Sequence, residues 1–338
     1  MIPIEVFRSI LERPDPALLE KMTKEATRLT RQFFGRQIAL YTPLYLDNHC
    51  DGGCTYCGFN RNRDIERIKL TSEQIATEME IIAGWGIDHI LLLTGESPQS
   101  APISYLLAAV QLAHRFFSAV SLEVYPLEED GYRQLVRAGA DGVALYQETY
   151  DRTRYRHLHP CGQKADFDYR YRAPERMAHA GMRRLTLGVL LGLTDPAADL
   201  HALFSHLEAL QYDFPGIEYQ LAFPRLQPLA EDKPAFAAVS DRQLLSAIAL
   251  ARLLFPRVAI SLSTREPAAI RDLALESAVT CISAGSRTDV GGYATAAMAP
   301  VQFAVRDRRS VVEIVDMLKV RGFNPAYTDW RSLGDYDE

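Results

Sequence analysis

The chain has 338 residues, 48% hydrophobic and 24% charged, with 20 Gly and 18 Pro, which excludes a collagen repeat, a coiled coil or a disordered chain. Its net charge of −6 offers no bulk attraction to phosphate backbones, so no nucleic-acid partner is expected. The longest useful apolar run, Leu185 to Leu193, falls far short of the roughly 20 residues that a bilayer demands. The start, Met1 to Arg8, carries Glu5 and no long apolar core, so the expectation is no signal peptide, no membrane span and a cytoplasmic location.

In chain order, Asp15 to Phe34 predicts a leading helix. Eight β-rich runs follow: Ala39 to Asn48, His89 to Glu96, Ala119 to Pro126, Asp141 to Glu148, Arg184 to Leu193, Ile217 to Arg225, Val258 to Glu266 and Cys281 to Ser286. Amphipathic stretches separate them. Thr71 to Trp85 has a capping Thr71 and an apolar stripe of Ile75, Met79 and Ile82, and Leu244 to Leu254 repeats the pattern. A tail helix over Ser310 to Arg321 is stopped by Gly322 and Pro325.

Eight β/α alternations without consecutive hairpins imply an α/β fold of parallel strands and crossover helices. Residues 39–286 match the roughly 250 residues of a closed (β/α)8 TIM-type barrel, with a doubly wound open sheet as the alternative. The division expected is an N-terminal helical extension at 1–38, the barrel at 39–286, and a C-terminal extension packed on it at 287–338. Cys50, Glu96, Tyr125, Glu148, Asp195, Arg225, Arg265 and Ser286 then fall at the C-terminal ends of the strands, the rim that carries active sites in such barrels.

Five cysteines sit at 50, 54, 57, 161 and 281. Such a clustered, odd set is poor material for disulfides. Cys50, Cys54 and Cys57 form a C-x3-C-x2-C loop directly after the first strand. Three thiolates there can hold three corners of a four-iron cluster and leave one iron open. Gly52, Gly53 and Gly58 allow the backbone to wrap closely. Zinc, with His49 or Cys161 as fourth ligand, and a dithiol pair at Cys54 and Cys57 remain alternatives. Cys161 and Cys281 read as structural thiols.

That loop after the first strand of a β/α barrel resembles the signature of the radical S-adenosylmethionine (SAM) enzymes. The resemblance extends along nearly the whole chain. Leu44 to Asn48, Cys57-Gly58-Phe59, Leu93 to Glu96, Tyr146 to Tyr150, Phe223 to Leu226, Leu262 to Glu266, Gly291-Gly292-Tyr293 and the ending Pro325 to Trp330 are similar to the 2-iminoacetate synthase family, the tyrosine lyases of thiamine biosynthesis.

The resemblance implies a [4Fe-4S] cluster on Cys50, Cys54 and Cys57, with S-adenosyl-L-methionine bound to the open iron. Thr94, Gly95 and Glu96 would meet the methionyl ammonium. Glu148 and Arg170 would hold the ribose or amino group and the SAM carboxylate, and Tyr56 would pack near the adenine. Gly188 to Gly192 is either an apolar wall beside it or barrel core. Arg265 would grip the substrate carboxylate, with a bridge to Glu266 as its alternative use; Ser286 and Arg225 are further substrate candidates. Gln227 stands where the family commonly has an arginine. The implied reaction cleaves the Cα–Cβ bond of L-tyrosine to p-cresol and 2-iminoacetate, with 5'-deoxyadenosine and methionine. Implied partners are thiazole synthase (ThiG) and reduced flavodoxin or ferredoxin as electron donor. Related readings are a tryptophan lyase, the hydrogenase-maturing tyrosine lyase, whose second cysteine cluster has no counterpart after Cys281 here, and a non-catalytic zinc or iron–sulfur scaffold.

Overall fold

Eight parallel strands form a closed ring in the computed structural model, which describes residues 2–12, 15–227, 238–294 and 299–327. They are β1 (Gln37–Asp47), β2 (His89–Thr94), β3 (Ala119–Glu123), β4 (Gly142–Glu148), β5 (Arg184–Val189), β6 (Glu218–Ala222), β7 (Ala259–Leu262) and β8 (Cys281–Ser283). Each pairs with the next, and β1 pairs with both β2 and β8, so the ring closes and the open sheet is excluded. The fold is the (β/α)8 TIM-type barrel of the radical SAM kind. A ninth strand, β9 (Asn324–Ala326), runs parallel to the first three residues of β1, so the C-terminal segment joins the sheet as well as packing on it.

Strands covered on both faces should be almost continuously apolar. β2 reads His-Ile-Leu-Leu-Leu-Thr, and every residue after His89 is buried. Between strands, helix Ser72–Gly84 starts at a capping box of Thr71 and Gln74 and buries Ile75, Met79 and Ile82. Helix Asp241–Leu254 begins at a second box, Ser240 with Gln243, and buries Leu244, Ile248 and Ala251. The leading helix Pro16–Phe34 is capped by Asp15 and packs on Asp241–Leu254. A shorter helix, Ile4–Leu11, precedes it and buries Phe7, Ile10 and Leu11. The tail helix Val311–Val320 is capped by Ser310 with Glu313 and ends before Gly322 at φ 72°.

All the strands but β4, which ends at Glu148 as its run does, stop earlier than the β-rich runs. β2 ends at Thr94 instead of Glu96, and β5 at Val189 instead of Leu193. The residues beyond these ends lie toward the barrel mouth, where pairing thins to isolated bridges such as Leu191 with Arg225. Register shifts fall between Tyr45 and Asp47 and between Tyr146 and Glu148. Glu148 is also the sole non-glycine with positive φ among the described residues, at 69°. Backbone strain of this kind persists where the surroundings hold it, commonly at functional sites.

Candidate active site

The cysteine loop is built into the barrel mouth from several sides. Asp47 accepts from the backbone N–H of His49 and lies against its Nδ1, while Asn48 donates to Glu66 O and accepts from Ile68 N–H. Arg67 donates to the carbonyls of Asn48, Phe59 and Asn60, fastening both ends of the loop. A Cβ on Gly95 would lie 2.1 Å from His49 O, and one on Gly58 would lie 2.2 Å from Val301 O; only glycine allows either approach. Gly58 N–H donates to Gln302 O, so the segment after β8 lies over the loop.

Cys50, Cys54 and Cys57 line one cavity with Thr94, Gly95, Glu96, Glu123, Glu148, Lys164 and Arg170. Burial pushes all three thiols up, Cys57 to about 11. Thiolates at these positions therefore call for a cationic group among them. A Cβ on Gly52 would lie in ordinary contact with the sulfurs of Cys50 and Cys54, at 3.4 Å and 3.6 Å, so this glycine sits between the two thiols. No group of three or more His, Cys, Asp or Glu among the described residues is arranged for a single metal ion. In a cluster each iron takes its own thiolate, so the ligands stand farther apart than those sharing one ion.

Opposite the thiols lies a buried ionic network. Arg170 donates from Nη1 to Glu96 Oε1 at 2.9 Å and from Nε to Tyr146 O at 2.7 Å. Lys164 Nζ lies 2.7 Å from Glu148 Oε1 and 3.4 Å from Glu96 Oε1. Burial alone would raise Glu96, but Arg170 and Lys164 outweigh it and hold the carboxyl below its usual range. Burial opposes the charge on Lys164, as does Arg170, but the glutamates prevail and its ammonium is held well above the usual range. Two buried oxygens in the cavity, Thr94 Oγ1 and Glu96 Oε2, have no hydrogen-bond partner. Three thiols, orphaned acceptors and flanking cations are a donor set that fits a cluster carrying an amino-acid-bearing sulfonium ligand.

Tyr56, inside the loop, donates its hydroxyl to His159 Nε2 at 2.7 Å. Nδ1 of His159 lies 2.9 Å from Tyr155 O, which only accepts; this fixes the tautomer with Nε2 as acceptor. Burial and the charges of Lys164 and Arg170 lower His159 to about 2. The ring is neutral and orients Tyr56.

A second chamber adjoins the first, and Leu93, Glu123 and Tyr146 line both. Arg265, Ser286 and Phe303 lie in this second chamber. The Arg265 guanidinium stacks 3.6 Å from the Phe303 ring centroid, and its Nε is buried without a partner, as is Ser286 Oγ. Glu266 does not bridge to Arg265. It pairs with Arg225, which donates from Nε to both carboxylate oxygens at 3.0 Å and from Nη1 to Asp241 and Val239 O.

Several rim residues serve the scaffold. Asp195 caps helix Pro196–Asp213, and Tyr125 donates to Ala101 O. Leu190 and Leu193 form a small apolar cluster with Leu158, against which Tyr56 packs, so the wall reading and the core reading of this run meet there. Glu78 accepts from the backbone N–H of Tyr293 and Ala294, so Gly291-Gly292-Tyr293 is a braced turn. Cys161 lies beside the loop, its thiol 3.6 Å from Asp51 O, and Cys281 is buried in β8. The terminal residues 328–330 lie outside the described residues. Sequence reasoning missed Lys164, Glu123, His159 and Phe303.

The chain is similar to proteins of known family. The Radical SAM superfamily profile matches residues 44–207, and that of the Biotin and Thiamin Synthesis associated domain matches 222–324. The 2-iminoacetate synthase of Escherichia coli K12 is 38% identical over 315 residues, 93% of this chain and 84% of that protein. A crystal structure of HydG, a maturase of the [FeFe]-hydrogenase, superposes with a TM-score of 0.90 at 32% identity, covering 96% of this chain and 73% of that one. HydG from Carboxydothermus hydrogenoformans gives 0.89 at 31%, covering 96% and 76%. The chain belongs to the 2-iminoacetate synthase family of radical SAM enzymes, whose cofactors are a [4Fe-4S] cluster and S-adenosylmethionine.

Proposed function

We propose that this enzyme cleaves the Cα–Cβ bond of L-tyrosine to 2-iminoacetate and p-cresol, for the thiazole of thiamine, with SAM consumed to methionine and 5'-deoxyadenosine. One observation carries the reading: the cavity lined by three thiols opens beside a chamber whose guanidinium, Arg265, makes no ion pair among the described residues. The cluster, when bound, supplies the electron that breaks the sulfonium C–S bond and so yields the 5'-deoxyadenosyl radical.

The chain's own residues bind and orient. Cys50, Cys54 and Cys57 hold the cluster. Glu96 Oε2 and Thr94 Oγ1, unpartnered in the fold, accept from the methionyl ammonium beside Gly95. Arg170, which holds Glu96 and Tyr146 O through Nη1 and Nε, would offer its remaining guanidinium donors to the SAM carboxylate. Lys164 pairs with Glu148 and would hold it toward the ribose, and Tyr56, pinned by His159, would close the adenine side. Arg265 holds the tyrosine carboxylate, with Ser286 Oγ as a further donor. Arg225, committed to Glu266, braces the rim. Phe303 and Gln302, which line the two cavities, would help exclude water from a reactive radical.

The small iminoacetate needs a prompt acceptor, for which thiazole synthase is the proposed partner, with reduced flavodoxin or ferredoxin as donor. Anaerobic incubation of the reconstituted protein with SAM, reductant and either tyrosine or tryptophan tests the reading. p-Cresol from tyrosine and no indole product from tryptophan is expected. SAM cleavage that neither amino acid stimulates would overturn it.

A further inference from the structure

Glu123 is the last residue of β3, and its side chain lines both the cluster cavity and the substrate chamber. The other two carboxylates of those cavities are already matched, Glu96 by Arg170 and Glu148 by Lys164. Among the described residues Glu123 makes no side-chain hydrogen bond or ion pair, and Arg265, on the same chamber, makes none either. Two opposite charges that no hydrogen bond or ion pair of the described residues engages thus face one space. Both residues are half-buried, and a largely desolvated charge without a partner is costly unless a ligand completes it.

We propose that Glu123 is the anionic half of a clamp for the substrate's zwitterion: it binds the α-ammonium while Arg265 binds the α-carboxylate. The ammonium and carboxylate of an α-amino acid hang from one carbon, so a clamp of this kind selects that backbone whatever the side chain. The phenol lies at the far end of the ring and cannot share this pair. The position of Glu123 between the two cavities also sets the amino end of the substrate toward the cluster side. This assignment deepens the lyase reading and rests on it for the identity of the substrate as tyrosine.

The surroundings define when Glu123 carries its charge. Burial, and then Glu148, push its carboxyl up to about 7, against the opposing pull of Arg265, Lys164 and Arg170. Tyr41 and Tyr45 of β1 and Tyr146 of β4 also face this region; burial pushes each of their hydroxyls far up, so they stay neutral throughout. An ammonium pairs with the ionised carboxylate, so substrate affinity should fall as pH drops below about 7.

The test uses reconstituted holoenzyme and the Glu123→Gln variant, with iron content and thermal unfolding checking cluster and fold. The KM for tyrosine should rise at least about 30-fold in the variant, as for loss of one partner of a buried charge pair. In the wild type the KM should climb up to about tenfold per pH unit below 7, and in the variant this slope should vanish. Equilibrium dialysis with the deaminated analogue 3-(4-hydroxyphenyl)propanoate needs no variant. The wild type should bind it at least about 30-fold more weakly than tyrosine. Equal binding of analogue and tyrosine, or a KM in Glu123→Gln within twofold of wild type, would overturn the clamp. An ammonium preference without p-cresol would sink the lyase reading and leave the clamp standing.

Discussion

Replacing Arg265 with alanine separates substrate binding from cofactor binding. Its guanidinium stacks on Phe303 and pairs with no carboxylate among the described residues, Glu266 being taken by Arg225. The stability lost should therefore be small, about 0.5–2 kcal/mol for the cation–π contact. The loss for the substrate is larger. Removing one partner of an enclosed, hydrogen-bonded charge pair costs about 2–5 kcal/mol, or roughly 30- to several-thousand-fold at 1.4 kcal/mol per decade. The assay follows 5'-deoxyadenosine and p-cresol together under anaerobic turnover. Their ratio should rise sharply in Arg265→Ala, because SAM cleavage no longer leads to tyrosine. Arg265→Lys should rescue only in part, since an ammonium restores charge without the fork. An unchanged ratio with wild-type tyrosine affinity would refute the reasoning and make Arg265 a bracing residue.

Cys54→Ala should lose the cluster and SAM cleavage together; full iron content with normal SAM cleavage would dismiss the loop as its ligand set. Arg225→Ala breaks a buried pair with Glu266 and should lower unfolding free energy by about 3–5 kcal/mol in denaturant titrations. The 5'-deoxyadenosine to p-cresol ratio of whatever folded protein remains should stay near wild type; a sharp rise would return Arg225 to the substrate. His159 titrates at about 2 in the fold against 6.5 in the reference state. The unfolded chain thus binds more protons between those values, so its contribution is fully present above 6.5 and is lost as pH falls. His159→Gln should flatten the decline in stability between pH 7 and 5 by up to about 2 kcal/mol; an equal decline in both proteins would remove His159 from the account.

Much of this architecture is legible in the chain because local signals agree with the fold. Apolar runs mark all eight barrel strands, and Thr71, Ser240 and Ser310 open their helices with side-chain caps. The cysteine spacing is likewise local, so the cluster loop can be read from eight consecutive residues, Cys50 to Cys57. What is not legible depends on distant partners. Helix Ile4–Leu11 is too short to be stable alone and is held by Phe7 packing on Phe204. The pairing of Arg225 with Glu266 joins residues 41 apart, whereas the sequence makes Arg265 the obvious neighbour of Glu266.

The missed site residues have the same cause. Lys164 lies in a single 3-10 turn, Gln163–Ala165, with no pattern to mark it, and only the fold brings it to Glu148. Glu123 at the end of an apolar strand reads as an ordinary solvent-facing acid until the ring closes around it. Phe303 belongs to the segment after β8, whose path over the mouth follows from Gly58 N–H meeting Gln302 O. The apolar runs overshoot the strand ends because residues aimed into the mouth, such as Glu96, continue the run in sequence yet leave the ladder in space.

If the two adjoining cavities couple SAM cleavage to scission of tyrosine, every turnover yields the products in equal amounts. The most direct measurement is the product stoichiometry of the anaerobically reconstituted protein with SAM, reductant and tyrosine labelled in the backbone and in the ring. Ring label in p-cresol and backbone label in glyoxylate, the hydrolysis product of 2-iminoacetate, each equal to the 5'-deoxyadenosine formed, is the expected result. Stoichiometric 5'-deoxyadenosine with the label still in intact tyrosine would contradict the account.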